Sequence, residues 1–247
     1  MLVVIFGTAF QVQNTEKTSI VVAANLKPAM DSIISIYKSQ NPTAELQVTY
    51  GVSGKFYEQI VNGAPFDLLF SADMNYPQKL RDNKLAISSV KLYAIGQIAL
   101  WSKKIDPNKN QINTLIDASI KKISIANPST APYGIRAVES IKYYKVYDNV
   151  KPKLVYGENI AQAAQFAAFG AADVAIIALS ECLSRNMKKE GGKYWIIPGE
   201  SHKPIEQGCV ILKHAKGNTT ATKLFDFISS KTAKDILTHY GYTFPKK

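Results

Sequence analysis

Two cysteines and three histidines among 247 residues leave little material for thiol or metal chemistry. Cys182 and Cys209 are too few and too far apart for a metal site, and they read as small buried hydrophobes, with a single disulfide as the open alternative. His202, His214 and His239 are scattered without a cluster, which argues against metal or catalytic duty. The apolar run Leu2–Phe10 is far too short to span a bilayer. A Pro/Gly/Ser-rich linker, a low-complexity tract and a short-period repeat are all missing. So is any Ser/His/Asp order or paired-carboxylate motif, so the residues do not point to an enzyme. Asp67, Asp73 and Asp173 lie in or beside strands and read as acceptors for structural hydrogen bonds.

Acidic residues are in the minority, and the net charge is +11. The excess is lysine spread along the chain, as in Lys103-Lys104 and Lys188-Lys189. No basic block comes with the interleaved aromatics of a nucleic-acid binder, so no nucleic-acid partner is expected. A general attraction for anionic ligands is the milder inference. Residues 1–18 read as an export leader on the strength of the Leu2–Phe10 run and the polar spacer after it, although a basic start and a clear A-x-A cleavage site are lacking. The competing reading is an irregular or strand-like N-terminus. No cysteine stands near the run to carry a lipid anchor.

What the chain does have is one phrase repeated four times: a strand, a tight turn and a helix start. Val48–Asp73 is the fullest case, with a strand, the Gly-Val-Ser-Gly turn, a short helix, Gly63 as its stop and a second buried strand over Phe66–Phe70. The phrase also occurs at Ile20–Tyr37, near Pro132–Arg136 and at Glu158–Phe166. Each helix start leaves backbone N–H groups without intrahelical partners, which makes it a ready site for an anion. Apolar Leu26, Met30, Ile33, Ile34 and Tyr37 mark one face of the first helix. Pro28 falls at the third helical position if Asn25 is the cap. Asn25, Ser53 and Asn159 stand where N-caps belong.

Further strands are expected over Tyr93–Ser102, Lys122–Ala126, Asp173–Leu179, Tyr194–Pro198 and Gln207–Lys213, with closing helices over Thr222–Ser229 and Thr232–Tyr240. Strands alternating with helices imply doubly wound parallel α/β sheets. The middle of the chain repeats the organisation of its start, so two similar lobes are expected. Lobe 1 spans 19–98 and is completed by 213–247; lobe 2 spans 99–212.

Several segments, in order and correctly spaced, resemble the periplasmic molybdate-binding proteins of ABC transporters. They are VVAANLKPAMDSI, YGVSGKFYEQIVNGAPFDLLFSAD, APYGIRAVES, ENIAQAAQFAAFGAADVAI, PIEQGCVILK and LFDFISSKTAKDILTHYGY. The resemblance covers about Ile20 to Phe244. It implies the type II periplasmic-binding fold, two α/β lobes joined by two crossing strands with an oxyanion in the cleft. It also implies a periplasmic, monomeric, non-enzymatic receptor that needs no cofactor and delivers molybdate or tungstate to a membrane permease complex. The alternative is a same-fold receptor for sulfate or another small anion.

Carried over residue by residue, the family's anion contacts fall on Ala24 and Asn25 after the first strand and on Ser53 in the G-x-S-G turn. In the other lobe they fall on Tyr133 before Gly134 and on the backbone at Ile160. Two positions depart from the common pattern. Asn25 stands where many members have Ser, and Ala178 stands where many have a Tyr whose hydroxyl meets the anion. Ala178 cannot donate, so that task passes to Asn25 or Tyr133. None of the matched positions is acidic, which favours a fully ionised tetrahedral anion over one carrying a proton.

Each candidate also has a blander role. Asn25 could cap its helix, donate to a ligand, or do both through its separate oxygen and nitrogen. Ser53 could be a plain cap and Tyr133 a packing aromatic. Lys55 reads as solvated, since Gly51–Lys55 fails the phosphate-loop pattern in spacing and in final residue. An enzyme acting on a phosphorylated substrate would need an acid or base facing the cleft, and an organic anion would call for an arginine clamp; Arg136 is the arginine nearest a matched position.

Overall fold

The computed structural model describes residues 17–245. The expected leader lies outside the described residues except for its last two, and Thr18 already opens the first strand.

The first sheet begins with β1 (Thr18–Ala23), a 3-10 turn over Ala24–Leu26, α1 (Lys27–Gln40), β2 (Leu46–Gly51), α2 (Ser53–Val61), β3 (Leu68–Phe70), α3 (Asn75–Asp82) and β4 (Lys91–Gly96). The chain then crosses to the second sheet with β5 (Ile98–Ser102), α4 (Pro107–Asn110), β6 (Ile123–Ala126), α5 (Pro132–Tyr143), α6 (Tyr147–Val150) and β7 (Leu154–Gly157). That lobe continues through α7 (Ile160–Ala168), β8 (Val174–Ala178), α8 (Leu179–Cys182), α9 (Arg185–Glu190) and β9 (Lys193–Ile196). It returns with β10 (Ile205–Ile211) and ends in α10 (Thr219–Phe227) and α11 (Lys231–His239).

Among the described residues the strands form two five-stranded sheets, ordered β2-β1-β3-β10-β4 and β7-β6-β8-β5-β9. Each is mixed rather than wholly parallel. Three strands run parallel, and the two contributed by the crossing segments pair antiparallel, as β10 does with β3 and β4, and β5 with β8 and β9. Each crossing strand that enters a new sheet, β10 or β5, lies one place in from the edge and runs antiparallel to both neighbours, with the strand of the other crossing segment, β4 or β9, outside it.

Two expectations are corrected here. Tyr93–Ser102 is not one strand: Gln97 interrupts it, and β4 and β5 belong to different sheets. The boundary at 212/213 is also displaced, because β10 pairs with β3 in the first sheet and the chain therefore crosses back before Ile205.

The cores follow the sequence pattern. β8 reads VAIIA and is buried throughout, as expected of a strand covered on both faces. Ala29, Met30, Ile33 and Tyr37 form the buried face of α1 and pack with Ile20, Val22, Leu224 and Leu237. Full burial of a side chain such as Met30 or Ile33 contributes about 1.5–3 kcal/mol. The last helices therefore cover the first lobe, and Gly241 closes α11 in the left-handed region at φ +79°. Cys182 and Cys209 are both free and buried, and burial pushes both thiols well up.

Candidate functional site

Five chain segments meet in a small recess between the two sheets, and Ala24, Asn25, Ser53, Tyr133 and Ile160 all line it. Gly51, Val52, Ala72, Ala131, Pro132, Asn159 and Ala23 complete the wall, and no lining residue is ionisable in the physiological range. The space enclosed by this wall is small, which suits a guest of a few atoms.

Each segment reaches the recess through a local device. In α2 the first intrahelical bond runs from Phe56 N–H to the Val52 carbonyl at 3.0 Å, so Val52 holds the cap position and Ser53 is the first helical residue. The N–H groups of the first turn, from Ser53 onward, thus have no intrahelical partner. Ser53 is not a cap. Its hydroxyl oxygen accepts the Ala72 N–H at 3.0 Å, which leaves the hydroxyl hydrogen free to donate.

In α5, Pro132 occupies the first turn, where its missing N–H costs nothing. Gly134 N–H bonds the Ala131 carbonyl, so Tyr133 carries the first free N–H of that helix. Gly134 is there because the helix start presses on β6: a Cβ would lie 2.1 Å from the Ala126 carbonyl oxygen. In α7, Asn159 caps as expected, its side chain accepting Gln162 N–H at 3.0 Å. The N–H of Ile160 remains for the recess. Three helix N-termini, each equivalent to roughly half a positive charge, therefore converge on one small space.

Asn25 departs from its expected place as a cap. It sits within the 3-10 turn, Leu26 precedes α1 and no side chain caps that helix, while Pro28 is its second residue. The side chain instead enters a buried polar cluster. One end of its amide (Nδ2) lies 2.9 Å from Gln207 Oε1, 2.9 Å from the Tyr242 hydroxyl and 3.4 Å from the Tyr133 hydroxyl. The Asn25 carbonyl accepts the Ser180 hydroxyl at 2.7 Å and the Tyr242 hydroxyl at 2.9 Å. Tyr133 is thus both a packing aromatic and a recess residue, its ring only 2 % exposed and its hydroxyl turned toward Gln207 at 2.9 Å.

Charge is kept outside. Lys55, half exposed, is not merely solvated: it pairs with Glu158 across the mouth of the cleft. Arg136 pairs with Glu139 at 2.8 Å and does not line the recess. The three aspartates behave as structural acceptors, Asp67 toward Ser19 N–H, Asp73 toward Tyr76 N–H and Asp173 toward the Lys121 and Lys122 N–H groups. Glu181 in α8 is the exception to neutrality nearby. It is buried, and burial raises its carboxyl to about 7 despite the lowering influence of Lys27. Among the described residues no group of three or more His, Cys, Asp or Glu is placed to hold a metal ion.

Gln207, Tyr93, Ser180 and Tyr242 were not singled out by sequence reasoning. Their signal is weak, since Gln207, Tyr93 and Tyr242 stand at no helix start and Ser180 stands at the start of only a four-residue helix, although a glutamine inside the apolar strand β10 is a buried polar group that needs partners. Tyr242 brings a hydroxyl from the C-terminal segment to the Asn25 turn, while Ala178, buried at the end of β8, offers none.

The family model for bacterial extracellular solute-binding proteins matches residues 18–243. The molybdate-binding protein ModA of Azotobacter vinelandii is 37% identical over 92% of this chain and 89% of its own length. ModA of Rhodobacter capsulatus is 34% identical over 98% of this chain and 93% of its own. The solved Azotobacter vinelandii periplasmic molybdate-binding protein superposes with a TM-score of 0.85 at 29% identity, covering 93% of this chain and all of that one. The sulfate-binding protein SubI of Mycobacterium tuberculosis superposes with a TM-score of 0.76 at 14% identity, a likeness of fold alone.

Proposed function

The chain belongs to the bacterial extracellular solute-binding protein family, and from that premise we propose that it captures molybdate or tungstate between its lobes for a membrane ABC permease. It works as an exported, periplasmic monomer and as a receptor rather than an enzyme. The observation that carries this reading is the recess itself: small, free of ionised side chains, with three helix starts aimed into it. The names of the relatives at 37% and 34% identity support the choice of oxyanion.

Neutral donors suit this guest. A fully ionised tetrahedral dianion offers only acceptors, and backbone N–H groups with hydroxyl and amide hydrogens match it on every side. Charge-assisted hydrogen bonds contribute about 1.5–3 kcal/mol each, so a handful balances the loss of hydration without a buried lysine or arginine. The donors are Ala24 and Asn25 from the first turn, Ser53 through its hydroxyl and N–H, and the N–H groups of Tyr133 and Ile160. Because they come from both lobes, the ligand bridges the cleft and favours its shut form.

Calorimetric titration with molybdate, tungstate, sulfate and phosphate tests the proposal. Tight binding of molybdate or tungstate with weak sulfate and no phosphate is expected. Tight sulfate with no molybdate would instead make the chain a sulfate receptor on the same scaffold.

A further inference from the structure

Gly54 is buried in the first turn of α2, directly after Ser53. Its φ lies outside the left-handed region, so the backbone conformation does not call for glycine. Within a helix glycine is less stable than alanine, because it gives up more freedom on folding. The reason for it lies in what surrounds it. A Cβ here would stand 2.7 Å from the Tyr76 hydroxyl oxygen and 3.0 Å from the Thr130 carbonyl oxygen. The first is the far end of a side chain in the same lobe, which can swing aside. The second is backbone of the other lobe, in the loop between β6 and α5.

That loop is braced. Asn127 N–H bonds the Gly157 carbonyl at 2.8 Å, and Ala131 N–H returns to the Asn127 carbonyl at 2.9 Å. The Asn127 side chain accepts the Ser129 N–H at 3.0 Å and the Ser129 hydroxyl at 2.7 Å. The Thr130 carbonyl is therefore fixed main chain, and no change of rotamer moves it out of the way. Resting on the oxyanion reading above, we propose that Gly54 is a positioning residue: its missing side chain lets the first lobe close onto the Thr130 carbonyl. This backbone contact sets how far the lobes shut, and with it the size of the shell around the anion.

The stop and the donors ride on the same pieces of chain. Ser53 precedes Gly54 in α2, and Ala131, Pro132 and Tyr133 follow Thr130 into the recess wall. Lys55, next on α2, pairs with Glu158 of the second lobe, beside Asn159 and Ile160. That pair draws the lobes together but sets no firm limit, since its long side chains can adjust. A cleft that shuts until protein meets ligand shrinks onto any small anion. One that shuts until backbone meets backbone holds its donors at a fixed spacing, and only an anion of matching size brings them all within hydrogen-bond range. Close-packed contacts of this kind do not yield gradually, so a single added methyl is felt.

The test combines calorimetric titration with molybdate and thermal melting of the ligand-free protein, on wild type, Gly54→Ala, Tyr76→Phe and the double variant. A methyl at residue 54 meets Thr130 only in the shut form. Gly54→Ala should therefore weaken molybdate binding about 5- to 150-fold, the range of an overpacked contact. The ligand-free variant should melt at the wild-type temperature or above it, because alanine favours the helix. A ligand-free variant that melts lower or does not fold would make Gly54 part of its own lobe's packing and overturn the proposal, as would an unchanged dissociation constant. The loss on Gly54→Ala should be the same in the Tyr76→Phe background; recovery there would put the clash inside the first lobe. In crystals of the molybdate complex, the start of α2 should stand a few tenths of an ångström further from the Thr130 carbonyl in Gly54→Ala than in wild type. Equal spacing would refute the stop. Wild type that binds neither molybdate nor tungstate rejects the oxyanion reading itself, a failure seen before any variant is made.

Discussion

Replacing Ser53 by Ala separates two functions that one hydroxyl performs. Its oxygen accepts the Ala72 N–H at 3.0 Å at a site only 2 % exposed, which leaves its hydrogen to donate into the recess it lines. Removing the hydrogen deletes one bond to a charged ligand, about 1.5–3 kcal/mol, so the dissociation constant for molybdate should rise about 10- to 150-fold. Removing the oxygen strands the Ala72 N–H, a buried donor whose desolvation costs about 1–3 kcal/mol. For a chain of this size, 1 kcal/mol corresponds to about 2–4 °C, so the ligand-free variant should melt about 2–12 °C lower.

Calorimetry gives the first number, and thermal melting of the ligand-free protein followed by circular dichroism gives the second. Both must move. An unchanged dissociation constant would remove Ser53 from the site. A weakened constant with an unchanged melting temperature would show that the Ala72 N–H does not depend on Ser53, and the account of how the hydroxyl is aimed would fail.

Glu181 predicts a pH dependence. Its carboxyl is raised from 4.5 to about 7 by burial, so the folded protein holds a proton that the unfolded chain has released. Stability should therefore be greatest below about pH 4.5 with respect to this group, fall as pH rises toward 7 and level off above it, a change of up to about 3 kcal/mol. Melting curves from pH 5 to 8 should show this slope in wild type, and Glu181→Gln should flatten it; equal slopes would clear Glu181 of the role. Lys55→Ala breaks an ion pair with half-exposed partners, worth about 0.2–1 kcal/mol, so molybdate affinity should drop less than about 5-fold. That difference should vanish near 1 M salt, where the screening length is about 3 Å, and persistence would indicate a direct ligand contact. Gly134→Ala puts a methyl 2.1 Å from the Ala126 carbonyl and must displace the start of α5. It should cost at least about 10-fold in affinity together with a lower melting temperature, and a variant indistinguishable from wild type in both would refute the close approach.

The parts of this molecule that were legible in the sequence are those determined within a few residues. Asn159 caps α7 because its side chain reaches an N–H three residues on. Gly63 and Gly241 end helices because the backbone there turns left-handed, at φ +89° and +79°. β8 declares itself by an unbroken apolar run, since a strand covered on both faces has no polar side to alternate with. The four turns that line the recess could be found for the same reason, each being a strand end joined to a helix start.

The rest depends on partners far along the chain. Tyr93–Ser102 reads as one apolar strand, and nothing local says that Gln97 parts it between two sheets, where its side chain donates to the Gly241 carbonyl at 2.7 Å. Asn25 has the residue type and place of a cap, but a cap offers it one hydrogen bond. The cluster of Gln207, Tyr242 and Tyr133, drawn from 108 to 217 residues away, offers more. Ser53 likewise trades a local bond for Ala72, on the strand end beside it in space. The two caps that failed, Asn25 and Ser53, are both recess side chains that carry polar hydrogens. A side chain spent on its own helix has no orientation to lend a ligand, whereas one held from behind by another element is aimed before the ligand arrives, and that preorganisation is what an uncharged anion site needs in place of a cation.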